Sequence, residues 1–197
     1  MINRKVFFDS IRGSVFKGKL TQSQVSGIET ILDYWESQEL TDLRQLAYLL
    51  STVVWETAWT CQPINEIGSD TYFFGMYDKG GTRPDVAKRL GNTVSGDGIK
   101  YKGRGFVQLT GRANYQKFTD LLGIDLVCQP DLALQTDVAA QILFIGTQQG
   151  IFTGKKLSDY FTSKVSDWVG CRRVINGQDK ATEIAQIALK FYTALSK

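Results

Sequence analysis

Apolar residues recur at helical spacing over most of the chain. Between residues 2 and 17, Val6, Phe7, Ile11, Val15 and Phe16 share one face and Gly18 supplies a stop, which predicts a first helix. The run LTQSQVSGIETILDYW predicts a second: Thr21 and Gln24 can form a capping box, Leu20 can staple to Val25, and Val25, Ile28, Ile31, Leu32 and Trp35 make the apolar face. Thr41 or Asp42 can cap a third helix through a side-chain oxygen. Leu46, Leu49, Leu50, Val53 and Val54 make that helix apolar enough to be the buried centre of the fold. Glu56, three residues after Val53 and seven after Leu49, falls at the edge of the same face. A carboxyl there is expected to be partly desolvated, and desolvation favours the protonated form that a general acid uses.

The texture changes between Gly68 and Gly105, where nine of the 19 glycines lie among Tyr72, Phe73, Phe74, Tyr77 and Tyr101; this predicts turns and short strands. Residues 104 to 110, RGFVQLT, alternate as a strand would, with Val107 and Leu109 facing a core and Phe106, Gln108 and Thr110 on the other side. An amide and a hydroxyl presented together suit sugar hydroxyls or a water. RANYQKFTDLLG predicts a helix with Ala113, Phe118, Leu121 and Leu122 inward and Gly123 at its end. Thr110 can cap that helix or position a water, and Asn114, four residues on, is close enough to share its site. Asp137 opens a helix through Val138, Ala139, Ile142, Leu143 and Ile145, ending near Gly150. A turn and short helix follow over residues 152 to 161. Asn176-Gly177 then marks a turn before a closing helix that buries Ile184, Ile187, Ala188, Phe191 and Leu195.

Composition narrows the chemistry. With 197 residues, 43% hydrophobic and 22% charged, and no linker, repeat or low-complexity tract, the chain reads as a single domain over 1–197 without a separate wall-binding module. It contains no histidine, which removes the Ser-His-Asp triad, the Cys-His thiol hydrolase and the His-based zinc site; a hydrolase of this composition works through carboxylates. Gly103, Gly105 and Gly111 fit neither the dinucleotide fingerprint nor the Walker pattern, and no metal or cofactor is expected. A net charge of +3 is too small to suggest nucleic acid. Residues 155 to 197 hold eight Lys and Arg against four Asp and Glu, so a basic C-terminal face is either solvated or in weak contact with an anionic membrane or wall. Cys61, Cys128 and Cys171, odd in number and widely spaced, read as free thiols in a reducing compartment. Asp9 and Arg12 interrupt what could be a signal peptide, and the apolar stretch from Leu46 to Trp55 is too short to span a bilayer. A cytoplasmic monomer with neither signal peptide nor transmembrane segment is the expectation.

Three stretches carry a resemblance. VVWETAWTCQPINE, around Glu56 and Glu66, resembles the His-Glu-Thr segment of glycoside hydrolase family 19 chitinases and their phage endolysin relatives. YKGRGFVQLTGRANY resembles their second signature, a Gly-Arg-Gly strand ending in Gln-Leu-Ser or Gln-Leu-Thr before an Asn-Tyr pair, and RRVINGQ resembles their Ile-Asn-Gly motif. The match runs from about residue 46 to the C-terminus, after N-terminal helices in residues 1–45. It implies a mainly α (α+β) lysozyme-like fold, with a helical lobe and a small β-hairpin and loop lobe forming a cleft, and hydrolysis of a β-1,4 glycosidic bond in an N-acetylhexosamine polymer. By position, Glu56 matches the general acid, Glu66 the general base that activates water, and Thr110 the hydroxyl that helps hold that water. Gln108, Asn114 and Asn176 match substrate-contacting positions, joined by Tyr72 and by Tyr115 of the Asn-Tyr pair. Arg104 and Arg172 look like supports of the site.

Two departures bear on these roles. Trp55 stands where the family has His before the acid, and the two glutamates are closer in sequence than in plant chitinases, as in the shorter phage enzymes, which leaves Asp70 as another candidate base. An inverting mechanism implies carboxyl groups roughly 6.5 to 9.5 Å apart, against roughly 5 to 5.5 Å for a direct nucleophile. The expected substrate is the glycan of bacterial peptidoglycan, cleaved by an endolysin held in the host cytoplasm until a holin opens the inner membrane. The alternatives are a chitinase acting on N-acetylglucosamine polymers, and a non-catalytic glycan-binding protein, which Trp55 in place of His keeps open.

Overall fold

The computed structural model describes residues Met1–Lys197. Helices carry most of the chain: α1 (Arg4–Ser14), α2 (Gln22–Ser37), α3 (Leu43–Glu56), α4 (Asp70–Tyr77), α5 (Pro84–Leu90), α6 (Asp97–Lys100), α7 (Arg112–Leu122), α8 (Thr136–Gln148) and α9 (Ala181–Leu195). Short 3-10 turns lie at Pro130–Leu134, Leu157–Asp159 and Gly170–Val174. The sheet is one antiparallel pair, β1 (Ile64–Asn65) and β2 (Arg104–Gly105), with Ile64 opposite Gly105 and Asn65 opposite Arg104. No helix is long and apolar enough to cross a membrane. The chain forms two compact units, Met1–Gln62 with Leu143–Lys197, and Pro63–Ile142.

The first, helical unit is built on α3. Asp42 caps it, accepting from the Arg44 N–H at 3.1 Å, and every residue from Leu46 to Val54 is buried. The closing helix α9 packs on α3 and buries Ile184, Ile187, Ala188, Phe191 and Leu195 as their spacing predicts. Phe7 of α1 stacks on Phe191 with ring centroids 6.3 Å apart. The capping box of α2 forms as read: the Gln24 N–H donates to Thr21 Oγ1 at 3.2 Å and the Thr21 N–H to Gln24 Oε1 at 2.8 Å. After Glu56 the chain reverses through Ala58, Trp59 and Cys61, all with positive φ. That turn is tied to α2 by Gln24 Nε2 donating to the Trp59 carbonyl at 2.8 Å and Gln62 Nε2 to the Ser23 carbonyl at 2.6 Å. Gly27 makes the approach possible, because a Cβ there would lie 1.8 Å from the Cys61 carbonyl oxygen.

The second, smaller unit departs from the sequence reading. Residues 68–105 were expected to form turns and short strands, yet α4, α5 and α6 occupy much of the segment. Local signals explain them: Ser69 Oγ accepts the Tyr72 N–H at 3.1 Å to cap α4, while Pro84 opens α5 and Gly91, at φ 69°, ends it. Its glycines mark caps and close contacts between short helices; a Cβ on Gly98 would lie 2.6 Å from the Asp78 nitrogen.

Of RGFVQLT, only Arg104–Gly105 runs as a strand. Gly105 (φ 89°) and Gln108 (φ 54°) turn the chain back on itself, so that the Arg104 N–H meets the Leu109 carbonyl at 3.2 Å and the Leu109 N–H meets the Arg104 carbonyl at 2.8 Å. Phe106, Val107 and Leu109 are all buried in this closed loop, which cancels the expected alternation. In α7 the inward residues are Tyr115 and Phe118; Ala113 and Leu121, expected inside, are exposed, because the packing face is rotated toward Tyr115.

Candidate active site

In the helical unit, Glu56 is the last residue of α3 and its side chain is 18% exposed. The following turn holds it from behind: the buried Thr57 donates through its hydroxyl to the Val53 carbonyl at 2.7 Å and accepts the Cys61 N–H at 3.0 Å. Arg172, 3% exposed on the 3-10 turn Gly170–Val174, donates through Nη1 to Glu56 Oε1 at 2.6 Å and through Nε to the Asp179 carbonyl at 3.2 Å. The apolar setting read from α3 is therefore incomplete, since this carboxylate has a buried cation of opposite charge beside it. Asn176 is exposed and caps its own turn: its Oδ1 accepts the Gly177 N–H at 2.8 Å, and its N–H donates to the Arg172 carbonyl at 3.0 Å.

In the smaller unit, Glu66 continues β1 by one residue and so lies opposite Gly103. Its N–H donates to the Gly103 carbonyl at 2.8 Å, and the Gly103 N–H donates to Glu66 Oε2 at 3.0 Å. Tyr77, at the end of α4, donates its hydroxyl to Glu66 Oε1 at 2.7 Å. Both oxygens thus accept, the pattern an ionised carboxylate makes. Burial and the hydrogen bond to Glu66 both push the Tyr77 phenol above its ordinary range, so it stays a donor. Asp70 is exposed in the first turn of α4, and Tyr72, also exposed, stands edge-on to Phe73 at 5.4 Å.

Gln108, Thr110 and Asn114 do come together, through the closed loop rather than a strand. Thr110 Oγ1 donates to the Gln108 carbonyl at 2.9 Å and Asn114 Nδ2 to the Thr110 carbonyl at 2.8 Å. Gly111 occupies the N-cap position of α7, so Thr110 does not cap the helix. Gln108 Nε2 donates to the Ile64 carbonyl at 3.1 Å, tying the loop to β1. A Cβ on Gly103 would lie 2.8 Å from Gln108 Oε1 and 3.0 Å from Glu66 Oε2, so this glycine leaves room for both side chains.

Tyr115, expected to touch substrate, and Arg104, expected to support the site, are both built into the scaffold. Tyr115 is completely buried: its hydroxyl donates to the Lys102 carbonyl at 3.0 Å and accepts from Arg104 Nη1 at 3.1 Å, and burial pushes its phenol up to about 12. Arg104, 6% exposed, also reaches Asp131 Oδ1 at 2.8 Å and the Lys100 carbonyl at 2.9 Å, so it anchors β2 from within. The three cysteines are free. Burial pushes Cys61 up to about 12 and Cys171 higher still, which leaves both as packing groups.

Sequence reasoning missed Tyr77 and Gly103 as partners of Glu66. Tyr77 carries no signal of its own, whereas Gly103 stands in the Gly-Arg-Gly signature. Also missed were Tyr48 and Thr52, whose hydroxyls are buried without a hydrogen-bond partner on the stretch of α3 leading to Glu56.

Comparison with solved structures gives the architecture a reference. Chitinase C from Streptomyces griseus HUT6037 superposes with a TM-score of 0.65 at 19% identity, covering 100% of this chain and 77% of that one. A bacterial family 19 chitinase superposes with a TM-score of 0.55 at 19% identity, covering 98% of this chain and 94% of that one. The chain has the family 19 chitinase fold. A glycosyl hydrolase family 19 domain-containing protein of Haemophilus influenzae is 55% identical over 42 residues, a segment covering 20% of this chain and only 21% of that relative. No protein-family model matches the sequence. Within this fold, Glu56 and Glu66 each sit in a defined hydrogen-bonded setting.

Proposed function

We propose that this protein hydrolyses β-1,4 glycosidic bonds of an N-acetylhexosamine polymer, with Glu56 as general acid and Glu66 as general base. One observation carries the reading: a histidine-free chain with the family 19 chitinase fold fixes each of these glutamates through buried or half-buried partners. Glu56 gives its proton to the leaving oxygen as positive charge develops on the sugar ring. Arg172 then stabilises the carboxylate left behind, so the ion pair is strongest after proton transfer. Glu66 takes a proton from the attacking water while Tyr77 and Gly103 hold its orientation. Thr110 spends its own proton on the Gln108 carbonyl, which leaves its lone pairs to accept from that water.

For the polymer, we favour the glycan strands of peptidoglycan and an endolysin role in host lysis. The support is the ten-residue separation of the glutamates, which is similar to that of the phage relatives. Chitin is a second reading, favoured by the solved structures of this fold, which are named chitinases.

Glu56→Gln should lower kcat about 10²- to 10⁴-fold, as removal of a general acid does, with glycan binding retained. Proton NMR of fresh products should show the α anomer, the outcome of inversion at a β bond; a β-anomeric product would overturn the role of Glu66 as base. Clearing of outer-membrane-permeabilised Gram-negative cells, with mass spectrometry of the released fragments, tests the polymer. Release from chitin oligomers without clearing would sink the peptidoglycan assignment.

A further inference from the structure

Four of the seven non-glycine residues with positive φ gather at one place in the helical unit: Lys17 (54°), Ala58 (48°), Trp59 (69°) and Cys61 (55°). Side chains with a Cβ disfavour this backbone, which persists where neighbouring contacts over-determine it and which concentrates at functional positions. The contacts are present. The Trp59 N–H donates to the Val54 carbonyl at 2.8 Å, its carbonyl accepts from Gln24 Nε2 at 2.8 Å, and the Gly18 N–H donates to the Arg12 carbonyl at 2.7 Å beside Lys17.

What this strain displays is an indole. Trp59 is 39% exposed, with its ring perpendicular to Phe16 and the centroids 6.1 Å apart, so the indole is held at one edge and part of it meets solvent. Two shallow grooves share it as a lining residue. One, of about 350 Å³, is lined by Val15, Phe16, Lys17 and Lys19; the other, of about 280 Å³, by Thr21, Ser23, Ala58 and Thr60; Gln24 and Trp59 line both. Glu56 and Arg172 line neither.

We propose that Trp59 is the platform of a second sugar-binding surface, taking an N-acetylhexosamine ring of a glycan strand apart from the residues assigned to hydrolysis. A pyranose ring has an apolar C–H face and a polar rim. A single pre-oriented indole supplies contact for the face at little conformational cost. Hydroxyls of Ser23 and Thr60 and the ammonium groups of Lys17 and Lys19 stand around it for the rim. An amphipathic helix needs a continuous apolar groove for several of its turns, whereas these two are small, about 350 and 280 Å³, and each carries polar side chains beside Trp59. Lys17 and Lys19, both exposed, favour a strand that carries carboxylates, as peptidoglycan does, over neutral chitin.

The proposal rests on the reading that the substrate is a glycan. The test is sedimentation binding to purified peptidoglycan sacculi and to chitin, with Glu56→Gln in every protein so that the ligand survives. Trp59→Gly removes the indole and suits the left-handed backbone better than Trp does, and Trp59→Phe keeps a ring. The glycine variant should bind at least tenfold more weakly and the phenylalanine variant should keep most of the affinity. A Lys17→Glu/Lys19→Glu double variant should lose more affinity for sacculi than for chitin. Should the glycine variant melt early, this charge pair decides, and unchanged sacculus binding by it overturns the proposal. Equal binding by a folded Trp59→Gly protein overturns it while leaving hydrolysis standing. Trp59-dependent binding to anionic vesicles with no dependence on glycan also overturns it. A parent protein that neither binds nor cleaves any glycan removes the hydrolase reading, and this surface with it.

Discussion

Tyr48, Thr52 and Glu56 follow one another at four-residue steps along α3, and of the three it is Glu56 whose polar group is paired. Burial pushes the Tyr48 phenol well above its ordinary range, with Cys171 and Glu56 adding to the effect and Arg172 opposing it. A buried hydroxyl without a partner carries its desolvation penalty and returns nothing, so deleting it while keeping the ring should not cost stability. Tyr48→Phe is therefore expected to raise stability by about 1 kcal/mol, read by calorimetry as a melting temperature about 2–4 °C higher. A clear drop would mean that the hydroxyl has a partner in solution. At this scale the sequence supplied Glu56 and its helix edge. Arg172 at hydrogen-bonding distance came from 116 residues away, beyond any periodicity.

At the scale of elements, the turn after α3 depends on a helix that contributes no chemistry. Helix propensity alone makes Gly27→Ala stabilising by about 1 kcal/mol, since glycine in a helix interior is entropically costly. The Cys61 carbonyl 1.8 Å from the added Cβ reverses the sign, because the obstructing atom is backbone and cannot rotate away. The substitution should cost about 3 kcal/mol or more, measured by urea unfolding. It should also displace Trp59, whose carbonyl is held by Gln24 on the same helix. The loop at 104–109 teaches a related lesson. Its apolar and polar residues alternate as a strand's do, but left-handed backbone at Gly105 and Gln108 folds the segment into a closed turn in which side chains from both expected faces are buried. Alternation reports burial on one side of an extended chain; it says nothing when the chain bends back within six residues.

For the molecule as a whole, the pH dependence should follow a carboxylate outside the proposed chemistry. Asp97 is 2% exposed. Burial alone would raise its carboxyl, but hydrogen bonds from Arg112 and from the Val94 and Thr93 N–H groups outweigh it and hold the group below its ordinary value. A carboxyl depressed in the folded state contributes stability that is present above the unfolded value of about 4 and is lost as pH falls through the folded one. Asp97→Asn should then cost about 2 kcal/mol near pH 6, and the gap to the parent protein should narrow below about pH 4, as thermal melts at the two pH values would show. A gap that stays constant would sink this account.

The sequence by itself determined the long helices, the caps of α2 and α3 and the buried centre at α3, because these follow from local spacing and from which residue types are present at all. It also offered Glu56, Glu66, Gln108, Thr110 and Asn114 as the candidates on which the proposed function rests. Tertiary structure decided what surrounds them. The Arg172 partner of Glu56, the Tyr77 and Gly103 clasp on Glu66 and the burial of Tyr115 all depend on contacts between segments distant in sequence. Such contacts leave no periodic trace, since hydrogen-bond geometry depends on where a backbone finally runs rather than on the order of its residues.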